Sequence, residues 1–338
     1  ALFPAVQECA YYNIVTPLLM QVYSRALKVQ LDRIGIDYGS IDLTADMDEL
    51  KQFEPNVHLA ELHEQYVRLD DEKRVSVSES GYDEFQQLSS VTTLQRAFAR
   101  FLEDFGHLSD SGNDFSVVPW REDPDLILRM MIDYAAPGDG AADKVRFEDL
   151  DIPAARRLML RPVYNRARQF KLQREAVSSL YTYGYGLFRD FFLALADRFV
   201  QRGLILTQED VFFLRFEEVR TIVLGSQADH DYVEKIDQRK AEVEKYRNID
   251  PPSIIYGDEE APVQLFTAVG LGGTPTSRGY YTGPVRVVQG IRDFAKLQHG
   301  DVLVIPFSDV GWTPLFTKAG AVIAESGGIL SHSSIVAR

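Results

Sequence analysis

The sequence predicts a multidomain chain: a mostly α-helical N-terminal region, then a smaller α/β domain that stops short at its C-terminal end. Three observations point there. Apolar residues recur at helical spacing through residues 1–250. The character changes at "IDPPSIIYGDEEAP", where Pro251-Pro252 cannot continue a helix. Beyond it, glycines crowd and β-branched residues gather into short runs between turn signals. A length of 338 residues suffices for two or three cores.

The elements follow in chain order. "PLLMQVYSRALKVQLDRIG" predicts a helix with Pro17 near its start and Gly35 near its stop. "TLQRAFARFLEDFGHL" repeats the spacing, and the run from Val163 predicts one long helix or two, closed at Gly203. "TQEDVFFLRFEEVRTIV" opens on a capping box, with Thr207 as N-cap and Asp210 in place of the usual Glu. "DYVEKIDQRKAEVEKYRNI" predicts a charged, solvated helix, and "EEVRTIV" and "KIDQRKAEVEK" read as solvated faces. The boundary is expected near residues 251–265, giving a helical domain over 1–262 and a second domain over 263–338. The stretch Asp250–Gly273, rich in Pro and Gly, reads as the hinge between them.

In the second domain "GPVRVVQG", "DVLVIPF" and "AVIAES" read as strands. "WTPLFTKAG" reads as a short helix with Thr313 as N-cap and Pro314 at N1, and "SSIVAR" as the start of another. Strand, helix, strand, helix predicts parallel strands joined by a crossover.

Composition narrows the function. The formal net charge is −14, which argues against a general nucleic-acid binder, since that needs a basic face. The negative charge sits before Leu271; from there to Arg338 six Lys/Arg outnumber four Asp/Glu. No run of eighteen apolar residues predicts a membrane span, and the first residues lack a signal peptide's basic and apolar regions. The single cysteine, Cys9, fits a reducing, cytoplasmic setting. The chain lacks an initiator Met and stops at Arg338 inside a helical run, so it is expected to be a piece of a longer polypeptide.

The last thirteen residues, "SGGILSHSSIVAR", hold the strongest chemical candidate. Gly327 and Gly328 lie just past a predicted strand's carboxyl end, and His332 sits at the next helix start, where ligands bind in open α/β sheets. Two glycines let the backbone turn sharply and approach a bulky group. Free N–H groups at a helix start favour phosphate and keep a histidine there neutral and nucleophilic. Ser331 and Ser333 could donate further hydrogen bonds. Local physics alone favours the plainer reading, a Gly-Gly turn with a capping histidine. A metal site at His332 is not expected, because no second ligand has suitable spacing, and no G-x-S-x-G elbow points to a serine hydrolase.

Two weaker candidates lie in the helical region. "YTYGYGLFRDFF" concentrates aromatics; core packing explains most of them, but Tyr183 and Tyr185, flanked by Gly184 and Gly186, could wall an apolar cavity for an aromatic or polyketide-like acceptor. His107, in "GHLSDSGND", could polarise an acceptor hydroxyl or take its proton, although a helix-end histidine meeting the dipole explains it as simply. Arg121 and Glu122 read as an exposed ion pair, and His58, His63, His230 and His299 as surface or packing residues.

The segment "GDVLVIPFSDVGWTPLFTKAGAVIAESGGILSHSSIVAR", with "GGTPTSRGYYTGPVRVV" upstream, resembles the swivelling phosphohistidine domain of phosphoenolpyruvate-utilising enzymes. That family includes phosphoenolpyruvate synthase, pyruvate phosphate dikinase and rifampicin phosphotransferase. The combination D-x-x-W-T-P-L-F followed by G-G-x-x-S-H-x-x-I-V-A-R is highly specific. The resemblance runs from about Gly270 to Arg338 and departs from the family's S-P-G start at Ser277-Arg278-Gly279.

It implies that His332 is the phosphorylated histidine, supported by Gly327, Gly328, Ser331 and Ser333, in a dikinase-type phosphotransferase. It also implies a small-molecule acceptor. ATP and Mg²⁺ would be bound by an ATP-grasp domain, upstream in cis or on a partner chain, because no P-loop or convincing ATP-grasp pattern occurs here. A long helical region before the histidine domain is similar to the rifampicin phosphotransferase order. A phosphoenolpyruvate synthase-like enzyme, an ATP-dependent ligase of the same family and a non-catalytic binding remnant are the alternatives. A barrel domain after Arg338 would favour the first, and absence of any ATP-grasp domain in cis or next door the last.

Overall fold

The computed structural model describes residues 2–134, 145–225, 231–246, 273, 275–277, 279–327 and 333–334. They form two compact units, one of Ala1–Leu187 with Thr276–Arg338, the other of Phe188–Pro275. As expected, a mostly helical region precedes a small parallel sheet. All but Gly273 of the expected hinge at Asp250–Gly273 lies outside the described residues, as does His230.

In the first unit, helix α1 (Leu2–Asp32) lies along the longest helix, α7 (Ala154–Gln201). Val6 meets Gly184 near one end and Tyr23 stacks on Phe170 at 5.4 Å further along, so the two run antiparallel. Leu27 and Leu31 close the other end against Leu160 and Tyr164. A two-residue parallel ladder, β1 (Ile41–Asp42) with β2 (Val145–Arg146), lies beside that core.

Here the structure corrects the expected helix starts. Pro17 and Pro162 lie inside α1 and α7, not near a start. An interior proline removes one helix donor, at a cost of about 3 kcal/mol. Packing on both sides of Pro17 offsets that cost and carries α1 through. The expected stop at Gly35 holds, with φ +76°.

The larger core gathers α2 (Pro55–Val67), α3 (Asp71–Glu79), α4 (Tyr82–Gln87), α5 (Thr92–Phe105) and α6 (Pro124–Ile132). Helix α5 shows why: Leu94, Phe98, Phe101 and Phe105, spaced 4, 3 and 4, are all buried on one face. Each such side chain contributes roughly 1.5–3 kcal/mol on burial. The same core takes in Val288, Ile291, Phe294, Leu303, Ile305, Trp312 and Leu315 from the C-terminal part. The helices and the α/β part thus share one apolar interior.

The sheet runs β3 (Val285–Val287), β4 (Asp301–Ile305), β5 (Ala319–Ala324), in that order and all parallel. The short helix α10 (Thr313–Phe316) connects β4 to β5, the expected crossover. Its cap residue is Trp312; Thr313, expected as the cap, is its first helical residue and donates its hydroxyl to the Val310 carbonyl. Buried Asp301 accepts from Arg286 Nε (3.0 Å) and Gln298 N (2.9 Å), bracing β3 on β4.

In the second unit the end of α7 packs on a 3-10 turn (Gln208–Phe213), α8 (Phe216–Val223) and α9 (Tyr232–Tyr246). The "TQEDVFFLRFEEVRTIV" segment is therefore two elements rather than one. The charged faces of α8 and α9 are solvated as expected, at Glu217, Arg220, Glu234, Asp237 and residues 240–246, while Val219, Ile222, Tyr232 and Ile236 on the apolar side are buried together with Phe199. Arg239 donates both guanidinium nitrogens to Glu218, at 2.7 and 2.8 Å. Asp210 closes the turn by accepting from Thr207 N (2.9 Å), as the capping pattern predicts. It also accepts from Leu206 N and pairs with Lys240 at 2.5 Å.

Among the described residues, no helix is long and apolar enough to cross a membrane.

Candidate functional site

The carboxyl ends of β4 and β5 lie side by side. Glu325 N donates to Ile305 O and Ser326 N to Pro306 O, both at 2.9 Å. This is the sheet edge where α/β folds bind ligands. Gly327 follows at φ +129°, a backbone that side chains rarely adopt, as the expected sharp turn requires. Gly328, Ser331 and His332 lie outside the described residues. Ser333 is buried, and its N–H donates to Ser308 Oγ (2.8 Å) on the loop leaving β4.

That loop continues into the D-x-x-W-T-P-L-F segment, which meets the loop after α5. Asp309 uses both oxygens: Oδ1 accepts from Val310 N and Oδ2 from Gly112 N, each at 2.8 Å. Trp312 is fully buried and its indole N–H donates to Asp110 O at 2.9 Å. Gly311 lies so close to Ser109 that a Cβ there would overlap the Ser109 carbonyl oxygen. Gly112 in turn has no room for a side chain between Asp309 and Thr182 of α7.

Helix α7 brings the aromatic candidates to the same loop. Tyr185 meets Phe115 at 5.5 Å and Tyr181 at 5.7 Å. Tyr183, 44% exposed, receives His107 edge-on at 5.3 Å, and Gly186 faces His107. Gly184 and Gly186 sit inside α7, as the expected long helix places them; Val6 packs so close to Gly184 that a Cβ there would crowd it, while Gly186 lies at ordinary contact distance from His107. His107, Tyr183 and Tyr185, far apart in sequence, thus border one loop.

His107 lies just past the end of α5 but does not meet the helix dipole as a charged group. Both ring nitrogens are buried without a hydrogen-bond partner. Burial, and then the nearby Arg121 guanidinium, push its pKa down to about 4, while the Asp104 carbonyl opposes this weakly. The ring is neutral at pH 7. Arg121, expected in an exposed pair, points its guanidinium toward Gly186 O (3.4 Å).

Reading the sequence missed Arg174–Glu175, an ion pair at 3.2 Å with side chains 12% and 22% exposed. Tyr181 and Tyr185 follow Arg174 by 7 and 11 residues, so all three share one helix face. That spacing was a readable signal. Among the described residues, no three His, Cys, Asp or Glu side chains gather to hold a metal ion.

The family description "rifampicin phosphotransferase fourth domain" matches residues 20–191, and "PEP-utilising enzyme, mobile domain" matches residues 297–338. The rifampicin phosphotransferase of Bacillus cereus is 26% identical over 283 residues, covering 77% of this chain and 32% of that protein. The rifampicin phosphotransferase of Streptomyces sviceus is 28% identical over 280 residues, with shares of 76% and 32%. The prodigiosin synthesizing transferase PigC of Serratia marcescens is 28% identical over 265 residues, with shares of 72% and 30%. The chain spans about a third of the length of these curated relatives.

Proposed function

Since the chain belongs to the family of phosphoenolpyruvate-utilising enzymes, with a helical domain ahead of a mobile domain as in rifampicin phosphotransferases, we propose that it is the acceptor and carrier part of a phosphotransferase. In this reading His332 carries a phosphoryl group, and Gly327, Gly328, Ser331 and Ser333 hold the phosphate oxygens. A small molecule bound against α7 takes the group. The acceptor's oxygen attacks phosphorus, the N–P bond breaks with its electron pair returning to the imidazole, and the hydroxyl's proton passes to the freed imidazole nitrogen, restoring neutral His332. His107, neutral and short of hydrogen-bond partners, accepts a hydrogen bond from the acceptor hydroxyl and polarises it. Tyr183 and Tyr185 flank the acceptor.

The sequence has no phosphate-binding P-loop and no convincing ATP-grasp pattern. We therefore assign the charging of His332, including its dikinase-type chemistry, to an ATP-grasp domain in cis or on a partner chain. The cytoplasm, with its ATP and reducing thiol pool, is the setting that fits. The relatives named for rifampicin and prodigiosin favour a small-molecule acceptor over a protein or nucleic acid.

One observation supports this reading above the rest. The loop bonded to Ser333, the residue after His332, also bonds Gly112, which abuts α7 at Thr182. The test is peptide mass spectrometry at neutral to alkaline pH. The chain is charged with phosphoramidate, a small-molecule phosphoryl donor, and separately with Mg²⁺-ATP plus the family's ATP-grasp domain. Phosphate on the peptide holding His332, lost in His332→Ala, is the expected result. A chain that folds normally yet takes no phosphate there under either condition would turn the reading toward a non-catalytic binding remnant.

A further inference from the structure

The D-x-x-W-T-P-L-F segment identifies the family, yet the transfer chemistry above uses none of its side chains. Three of its residues face one target. Asp309 Oδ2 accepts from Gly112 N at 2.8 Å. The indole N–H of Trp312 donates to Asp110 O at 2.9 Å. Gly311 has its backbone against the Ser109 carbonyl, and its close neighbours across the contact are all backbone atoms of Ser109. The opposing loop is built to match. Asp110 returns a bond by accepting from Ile291 N (3.2 Å), and Ser109 Oγ donates to Ser111 O (2.8 Å), holding the loop in shape.

We propose that Asp309, Gly311 and Trp312 form a docking key that reads the backbone of Ser109–Gly112, with Asp309 as the positioning residue that sets the carrier loop in register with the acceptor face. Backbone recognition needs the loop's shape more than its side chains. That explains why a glycine is required at Gly311, on the key side, and another at Gly112, on the loop side. Asp309 suits this role because each oxygen serves one partner: Oδ1 rigidifies its own turn through Val310 N, and Oδ2 reaches the other part of the fold. The register matters only if the C-terminal part carries phosphate to the helical part, so this inference rests on the function proposed above.

The two can fail separately. The docking test is residue-resolved hydrogen exchange on the uncharged chain, with wild type, Asp309→Asn and Gly311→Ala. Asn can keep the Val310 bond through Oδ1 but sets an N–H group against Gly112 N–H. Ala at 311 meets only Ser109. Loss of one hydrogen bond to a charged acceptor predicts about ten- to a hundredfold faster exchange at Gly112 N–H in Asp309→Asn. The Trp312 indole N–H should also speed up in both variants, while β4 and α5 amides keep wild-type protection. Unchanged exchange at Gly112 and Trp312 would overturn the proposal. So would an equal loss of protection across β4 and α5, which would make Asp309 and Gly311 ordinary stability residues. Neither outcome bears on whether His332 takes phosphate, which the labelling experiment decides alone.

Discussion

A buried neutral His107 makes a quantitative prediction about pH. An ordinary histidine titrates near 6.5; burial and Arg121 bring His107 to about 4. The unfolded chain therefore binds a proton at His107 between those values while the folded chain does not. Stability contributed by the neutral ring is full above pH 6.5 and falls as pH drops toward 4. A gap of roughly two and a half pH units, at about 1.4 kcal/mol each, amounts to about 3 kcal/mol. His107→Gln keeps a polar side chain but removes the titration. Urea unfolding of both proteins at several pH values between 7.5 and 4 gives the difference in stability at each. Wild type minus variant should fall by about 3 kcal/mol across that range. A flat difference, or a His107 ring resonance titrating near 6.5, would refute the burial argument and with it the neutral ring assigned to the acceptor site.

Other perturbations test the frame that holds the site. Phe98→Ala empties a fully buried position in the larger core and should cost about 3–5 kcal/mol in denaturant unfolding. Trp312→Phe leaves the Asp110 carbonyl without its indole donor and should cost about 1–3 kcal/mol, with the loss of one of two tryptophan emissions checking the assignment. Asp210→Ala removes the acceptor of two backbone amides and the partner of the partly exposed Lys240, and should lower stability by about 1–3 kcal/mol, read by far-UV circular dichroism during unfolding. Burial raises the Asp210 pKa, but Lys240 and the Thr207 and Leu206 amides outweigh it and hold it below 3.8. Its contribution is therefore present above pH 3.8 and disappears only below that value.

The elements readable from sequence were those with strong local periodicity. Leu94, Phe98, Phe101 and Phe105 announce α5, and the runs at Val302–Ile305 and Ala321–Ala324 announce a parallel sheet with a short crossover. Pro17 misled because its local cost is real but is outweighed by contacts more than a hundred residues away, such as Val6 on Gly184 and Leu27 near Tyr164. Gly184 was legible as part of a helix, but its reason was not: Val6 approaches it closely from nearly the other end of the helical region. The solvated faces of α8 and α9 were legible from their charges, but the pairs Asp210–Lys240 and Glu218–Arg239 were not, because their members lie 30 and 21 residues apart.

The candidate site divides along the same line. Gly327 was legible because a strand end followed by glycine demands an unusual backbone, and the structure places it at φ +129°. His107 was legible as a polar residue at a helix end, but its environment was not, since Tyr183 and Gly186 reach it from nearly eighty residues downstream. The Asp309–Trp312 segment is the sharpest case. Its residue types are so restricted that they name a family on sight, yet within the segment they look like a turn and a short helix that many sequences could form. The restriction becomes intelligible only across the gap of some two hundred residues to Ser109–Gly112. There an aspartate must span two amides, a glycine must meet a carbonyl, and a tryptophan must bury its ring while keeping one bond. The segment thus records a contact between two parts of the fold. Loosening that contact should therefore change how the C-terminal part meets the helices before it changes how either part folds.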